Sequence, residues 1–164
     1  GLIGACVYIA CKRNNVPRSA KEIAKMFDLT VGNLTKGAKK LLNIMKTHKI
    51  NIGSKESDRL TVTSASDFVE RFCSQLGFSN NHIMLTMRIA NRATELGIVE
   101  SNTPPSIASG CIYFVGSMLK LHNCTKKDIA YVCNISEVTI GKCHKKLCKY
   151  TEHLLTKEEQ DIYL

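Results

Sequence analysis

An internal repeat, with its two copies 106 residues apart, is the feature of this sequence that most restricts the fold. Residues 19–42, SAKEIAKMFDLTVGNLTKGAKKLL, align without a gap with residues 125–148, TKKDIAYVCNISEVTIGKCHKKLC, and seven positions are identical. Upstream, GACVYIAC at 4–11 aligns with SGCIYFVG at 109–116, at a spacing of 105 residues. Two copies of one structural unit are therefore predicted, with the one-residue difference falling in a connecting turn.

Helix signals predict the order helix, turn, helix, turn, helix in each copy. Ser19 and Thr125 each precede an acidic residue three positions later, which is an acidic variant of the capping box and marks the start of the middle helix. Asp28 and Asn134 then favour a tight turn. Each copy is thus expected to end in a helix-turn-helix. The N-caps expected for the third helices are Thr30 and Ser136.

The region between the copies supplies two further helices. SDFVERFCSQLG at 66–77 and NNHIMLTMRIANRATELG at 80–97 each end in a glycine suited to a helix C-cap. Pro104 and Pro105 then open the next helix. The second unit is therefore expected to contain five helices, of which the first unit shows only the last three.

These elements predict an all-α chain with a first unit at 1–50 and a second unit at 63–164. The polar segment 51–62 between them predicts a linker. The alternation in INIG, at 50–53, leaves a short strand open as an alternative. Since the first unit shows three helices where the second has five, two more helices are expected ahead of Gly1.

Basic residues outnumber acidic residues by 23 to 14, for a formal net charge of +9, and the excess is uneven. Residues 1–62 hold a net charge of +8, and residues 120–150 contain seven lysines but only two acidic residues. Two separate basic stretches predict contact with a polyanion at two places.

The eight cysteines occur singly inside apolar periodic segments, and no CxxC pair is present. This pattern indicates a reduced, intracellular protein, and it predicts no metal site and no cofactor, because structural zinc needs closely paired ligands. No apolar run approaches the roughly 18 residues that a membrane span needs. The sequence also lacks a nucleophile elbow, a phosphate-binding loop and paired carboxylates, so an enzyme is not expected.

The third helix of the second copy is amphipathic, with a lysine face. At 100° per residue, Lys145, Lys146 and Lys149 lie within about 60° of Lys142, and Val138 lies on the same side. An exposed valine near the start of a recognition helix can contact base edges, with lysines behind it on phosphates. A merely solvated face is the alternative. The core-facing stripe is predicted to consist of Ile140, Cys143, Leu147, Tyr150 and Leu154.

Several segments, taken in order, resemble a known family. ACVYIACKRNNVPRSAKEI (5–23), DFVERFCSQLGF (67–78), SIASGCIYF (106–114) and KKDIAYVCNISEVTI (126–140) resemble the cyclin-like core of general transcription factor IIB and its archaeal counterpart. The resemblance spans essentially the whole chain. It implies two cyclin-like helical repeats, the first truncated at its N-terminus. It also implies a factor that binds TATA-binding protein on promoter DNA and helps to recruit RNA polymerase.

The resemblance implies roles for individual residues. In that family, the third helix of the second repeat reads an element upstream of the TATA box in the major groove, and the first repeat contacts TATA-binding protein. The resemblance implies base contacts for Val138 and Thr139 and a phosphate contact for Lys145. The full set of residues expected to bind DNA is Val138, Thr139, Lys142, Lys145, Lys146, Lys149, Asn102 and Ser106. The residues implied to contact TATA-binding protein are Lys12, Arg13, Lys36, Lys39 and Lys40.

Two departures from the family pattern bear on specificity. Gly141 stands where the family has a base-reading arginine, and Asn102 replaces a second arginine in a loop. Because an arginine bound to a guanine edge gives about 1–3 kcal/mol of discrimination, we expect DNA affinity with weakened or altered specificity. The family's zinc ribbon is not among these residues, so the chain alone is not expected to support transcription.

The first predicted helix is apolar nearly all round, with Leu2, Ile3, Cys6, Val7 and Ile9, and should therefore be buried. Without two of its neighbours, its face would be open to water. We therefore expect the first unit to be loosely folded or to be covered by a second chain, for example in a homodimer.

Two other functions remain open at this point. One is a polymerase III-type or virus-encoded relative of transcription factor IIB. The other is a cyclin-type protein that binds a kinase and has no role on DNA. The location expected from the resemblance is the nucleus in a eukaryote, or the cytoplasm or a viral factory for an archaeal or viral protein.

Overall fold

The computed structural model describes residues 1–14, 16, 18–48 and 63–163, and all regular secondary structure in them is α-helical. The all-α prediction is confirmed. The chain divides into two compact units, Gly1–Thr63 and Ser64–Leu164. The predicted linker at 51–62 and the alternative strand at INIG lie outside the described residues.

The first unit contains α1 (Leu2–Arg13), α2 (Ala20–Met26) and α3 (Val31–Thr47). α1 packs mainly on α3, and α2 packs across both. The buried side chains form two small clusters instead of one continuous core. The clusters are centred on Ala5, Ile9 and Ala38, and on Ile23, Ala24 and Leu34.

The second unit is built around one central helix, α6, on which the neighbouring helices pack. Ten residues of α6 are buried, and six of them belong to a single hydrophobic core that extends into the other helices. The helices of this unit are α4 (Ser66–Gln75), α5 (Asn80–Glu95), α6 (Pro104–Met118), α7 (Lys126–Cys133), α8 (Glu137–Cys148), α9 (Thr151–Leu154) and α10 (Lys157–Tyr163).

The predicted number of five helices in the second unit is wrong, because the described residues contain the short α9 and α10 as well. α8 ends at Cys148, where the N–H groups of Lys149 and Tyr150 bond to carbonyls three residues earlier and tighten the last turn. Tyr150 is therefore exposed and does not join the core stripe, whereas Leu154 is buried from α9. Arg88 on α5 forms an ion pair with Glu159 of α10.

The predicted helix starts and turns are confirmed in both copies. The side-chain oxygens of Ser19 and Thr125 each accept an N–H from the acidic residue three positions later, at 3.2 Å in both cases. The carboxylates in turn accept the N–H of the cap residue. Asp28 and Asn134 both have positive φ, 50° and 53°. The remaining predicted caps found in place are Thr30, Ser136, Gly77 and Gly97.

α1 and α6 are equivalent in the repeat, but their surroundings differ. Ile107 and Ala108 of α6 are buried, and α4 and α5 pack on this helix. The equivalent residues of α1, Leu2 and Ile3, are 54% and 73% exposed, and Cys6 is exposed as well. The expected opening of this apolar face is therefore found in part: Leu2, Ile3 and Cys6 are exposed, whereas Val7 is half-buried and Ile9 is buried.

Candidate nucleic-acid interface

α7 and α8 form a helix-turn-helix whose second helix presents one face to solvent. The left-handed Asn134 ends α7, and the Ile135 N–H bonds to the carbonyl of Ala130 at 3.3 Å across the turn. Ser136 then caps α8 by accepting the N–H of Thr139 at 3.3 Å. α8 packs on α6, and its buried residues are Ile140, Cys143 and Leu147. The opposite face of α8 is left available for contact.

The exposed face of α8 carries Val138, Lys142, Lys145 and Lys149. Val138 is 66% exposed, although a valine normally favours the core. The three lysines are exposed, and none of their ammonium groups forms an ion pair with a described carboxylate. Their charge is therefore available to an external anion.

Lys146 lies at one edge of this face and is bound to a loop. Its ammonium nitrogen lies 2.8 Å from the Ser101 hydroxyl oxygen and 3.2 Å from the Asn102 side-chain oxygen, and donates to both. Two predicted DNA-binding residues, Lys146 and Asn102, are thus brought together. Because an ammonium has three donors, Lys146 fixes the loop to α8 and retains one donor for another acceptor.

Two hydroxyl residues of the predicted set are placed differently. Ser106 is buried in α6, with its hydroxyl 2.8 Å from the Thr103 hydroxyl, so it does not present this group to the surface. Its role in DNA binding stays a prediction, which this burial does not favour. Thr139 is half-buried, and its hydroxyl oxygen lies 2.8 Å from that of Ser136 at the start of α8.

The α8 side chains at the other edge of this face are neutral. The ring of His144 packs against Tyr113, with centroids 4.7 Å apart, and the Cys148 sulfur lies 3.4 Å from His144 Nε2. Burial, and secondly the charge of Lys126, lower the pKa of His144. The imidazole is therefore neutral near pH 7, and the positive charge of this surface comes from lysines.

Sequence reasoning missed Lys126 as part of this region. Its ammonium lies 5.4 Å from the centroid of the Tyr113 ring and beside Gly141 of α8. Two signals pointed to it: it directly follows the cap residue Thr125, and α8 contains an interior glycine where a helix ordinarily avoids one. Only the packing of α7 on α8 joins these two signals.

The first unit carries the equivalent lysines on α3. Lys36, Lys39 and Lys40, equivalent to Lys142, Lys145 and Lys146, are exposed. The equivalent of Val138 is Gly32, which has no side chain that could contact base edges. The predicted cations at the end of α1 are Lys12, whose ammonium lies 5.0 Å from the Tyr8 ring centroid, and the exposed Arg13.

The described residues form no disulfide and no metal-binding cluster. The eight cysteines, all of which are described, form no disulfide. Within 1–14, 16, 18–48 and 63–163, no group of three His, Cys, Asp or Glu side chains is arranged to hold a metal ion. None of the helices in the described part of the chain combines the length and apolar character needed to cross a bilayer.

Comparison with known proteins agrees with this geometry. Residues 1–44 and 58–150 match the family described as "Transcription factor TFIIB repeat". A transcription initiation factor IIB-like protein of Acanthamoeba polyphaga mimivirus is 33% identical over 95% of this chain and 35% of its own length. Transcription initiation factor IIB of Encephalitozoon cuniculi is 30% identical, over 98% and 49% respectively. That of Methanopyrus kandleri is 33% identical, over 90% and 45%. The chain thus spans between a third and a half of these relatives.

Proposed function

This chain belongs to the transcription factor IIB repeat family of transcription initiation factors, and we propose on that premise that it binds TATA-binding protein on promoter DNA and connects this complex to RNA polymerase. The observation that carries the proposal is the lysine face around the exposed Val138 of α8, whose exposed lysines have no ion-pair partner among the described carboxylates. The role is one of binding and requires no catalysis. It is exercised in the nucleus of a eukaryote, or in the cytoplasm or viral factory for an archaeal or viral protein.

On DNA, α8 enters the major groove with Val138 towards the bases. A valine methyl group can contact the methyl group of thymine, while Lys142, Lys145 and Lys149 bind phosphates. Gly141 offers no side chain to a base, and the side-chain oxygen of Asn102 is already occupied by Lys146. The complex should therefore be held mainly through the DNA backbone, with weak readout of the upstream sequence.

The basic residues of the first unit are proposed to contact TATA-binding protein. Lys36, Lys39 and Lys40 form an exposed cationic surface on α3, and Gly32 leaves no apolar side chain at the position that Val138 occupies in α8. Such a surface suits an acidic patch on a protein better than base edges, because it has positive charge but no apolar side chain that could contact a base. Lys12 and Arg13 extend the proposed surface to the end of α1.

A gel shift tests the proposed function directly. The chain is titrated onto a TATA-box duplex with the TATA-binding protein of its source organism, at several salt concentrations. We expect a retarded band that needs both components, and a slope of log K against log salt of about −2.7 or steeper, since each of three phosphate contacts contributes about −0.9. Equal binding without TATA-binding protein, or a nearly flat salt dependence, would contradict the proposal. Capture of a kinase without any promoter complex would indicate a cyclin-type role instead.

The exposed apolar face of α1 is proposed to be an association surface for a second copy of the chain. Leu2, Ile3 and Cys6 lie on the face whose equivalent in α6 is buried. We expect residues 1–164 to sediment as a dimer and Ile3→Glu to shift the species to monomer, because a carboxylate would be buried at the contact. Ile162→Glu, at a similarly exposed position on α10, is the control and should leave the dimer intact. A compact monomer whose two units melt together would refute this.

A further inference from the structure

We propose that Lys126, in the first turn of α7, contacts a DNA phosphate at the edge of the groove that α8 enters, and that residue 141 of α8 must be small because the Lys126 side chain lies over it. The inference rests on the proposed function and adds a residue from a different helix to the DNA-binding surface. It also gives a structural reason for the lack of a long side chain at this position of α8.

The position of Lys126 is defined by two contacts. A Cβ atom built on Gly141 would lie 3.8 Å from the Lys126 ammonium nitrogen and 3.9 Å from its Cε atom. On its other side, the ammonium lies 5.4 Å from the centroid of the Tyr113 ring, within the range of a cation–π contact. The side chain is exposed, yet it lies between these two surfaces. This reduces the entropy that a lysine loses when it binds a ligand.

The charge of Lys126 has no carboxylate partner in the part of the chain that the structure describes. No described carboxylate forms an ion pair with it, although Glu137 lines the same open groove. This groove has a volume of about 520 Å³ and is also lined by Lys120, His122 and Lys127. The groove beside α8 is therefore predominantly cationic, and an anion is the ligand that it suits.

The position of Gly141 on α8 indicates a phosphate rather than a base as the ligand of Lys126. At 100° per residue, Gly141 lies about 60° from Val138 and about 40° beyond Lys145, on the side opposite to Lys146. A recognition helix in the major groove contacts base edges mainly with its N-terminal residues, and its two sides lie towards the phosphate backbones. Lys146 marks one edge and Lys126 the other. A lysine ammonium also binds phosphate as a compact point charge.

The space over Gly141 limits what this position can hold. An alanine would be in ordinary van der Waals contact with Lys126, but a longer side chain would occupy the volume that the lysine uses. Substitution of Gly141 by leucine should therefore displace the ammonium without removing its charge. Gly141→Leu therefore tests whether the position of the Lys126 ammonium matters for binding, and not only its charge.

The test compares Lys126→Met, Gly141→Leu, the double variant and the control Lys157→Met in the promoter complex with TATA-binding protein. Lys126→Met keeps an apolar side chain of similar length and removes one charge, and Lys157 is another exposed lysine, on α10. Each phosphate contact adds about 0.9 to the magnitude of the slope of log K against log salt. Over the tenfold range from 1 M to 0.1 M salt, one contact therefore changes the affinity by a factor of about eight. We expect Lys126→Met and Gly141→Leu each to weaken binding about five- to tenfold and to reduce the slope by about one.

The double variant should bind about as well as Lys126→Met alone, because both changes remove the same contact. The inference is overturned if Lys126→Met binds like Lys157→Met in a complex that the unaltered chain forms, or if Gly141→Leu has no effect while Lys126 is present. Failure of the unaltered chain to bind the promoter complex at all would instead overturn the proposed function, and this inference with it. Circular dichroism of each variant checks that the helices are retained.

Discussion

Charge reversal at Lys142 and Lys145 should reduce affinity for the promoter complex by at least about 100-fold at 0.1 M salt. Each lost phosphate contact accounts for about a factor of eight, and each new carboxylate adds repulsion from the same phosphate. Neither lysine has a carboxylate partner among the described residues, so its removal leaves no orphaned charge in the fold. The double variant Lys142→Glu/Lys145→Glu should therefore fold normally and fail in binding.

The measurement is the gel shift with TATA-binding protein, together with thermal unfolding of each variant. Each single reversal should weaken binding by at least about tenfold. Lys157→Glu makes the same charge change on α10 and should remain within about twofold of the unaltered chain. If the double reversal bound like Lys157→Glu, the lysine face of α8 would be a solvated surface and the proposed function would lose its main support.

Substitution of Gly110 by alanine is expected to destabilise the second unit by about 2–4 kcal/mol. A Cβ atom at Gly110 would lie 2.4 Å from the sulfur and 2.6 Å from the Cβ of Cys143 on α8. The second distance cannot be relieved by a side-chain rotation, so α6 and α8 would have to separate. This should outweigh the gain of about 1 kcal/mol in helix propensity that alanine brings over glycine.

In the first unit, the glycine of the equivalent pair of positions lies on the opposite helix. Ala5 and Gly37 are the equivalents of Gly110 and Cys143, and a Cβ atom at Gly37 would lie 3.3 Å from the Cβ of Ala5. In each unit, the helix with the larger residue therefore faces a glycine. The double variant Gly110→Ala/Cys143→Gly should consequently recover most of the stability lost in Gly110→Ala.

Urea unfolding of the two single variants and the double variant measures this coupling. We expect a coupling free energy of about 1–3 kcal/mol in the stabilising direction. Gly141→Ala is the matched control: it is also an interior helix glycine, but its Cβ would meet nothing closer than 3.8 Å. It should be neutral or stabilising by up to about 1 kcal/mol. Additive effects of Gly110→Ala and Cys143→Gly would contradict the proposed exchange. Gly110→Ala should also weaken DNA binding, because it moves α8.

Local chemistry made the helix starts and turns predictable. A capping box at Ser19 or Thr125 acts within four residues, and a left-handed residue such as Asp28 or Asn134 acts at one position, so neither depends on distant parts of the chain. The amphipathic pattern of α8 likewise predicted an exposed Val138. The pattern failed at Tyr150, because the last turn of α8 tightens and the following residues leave the helix axis.

The contacts around the candidate site were not predictable in the same way. Lys146 reaches Asn102 across 44 positions, and Lys126 lies beside Gly141 across 15. The burial of Ser106 likewise depends on the helices that surround α6. Residue types and spacing showed which side chains on α8 lie on its charged face, but they could not show which residues of other elements lie beside that face.

The amino-acid sequence by itself determined the repeat, the helices, their caps and the family, because these depend on residue type and on spacing along the chain. Only the tertiary structure decided which lysines have no carboxylate partner among the described residues, why residue 110 is a glycine, and which side chains of other helices lie beside α8. Those properties depend on distances between side chains of different helices. Such distances are set when the helices pack, and the periodicity of a single helix gives no information about them.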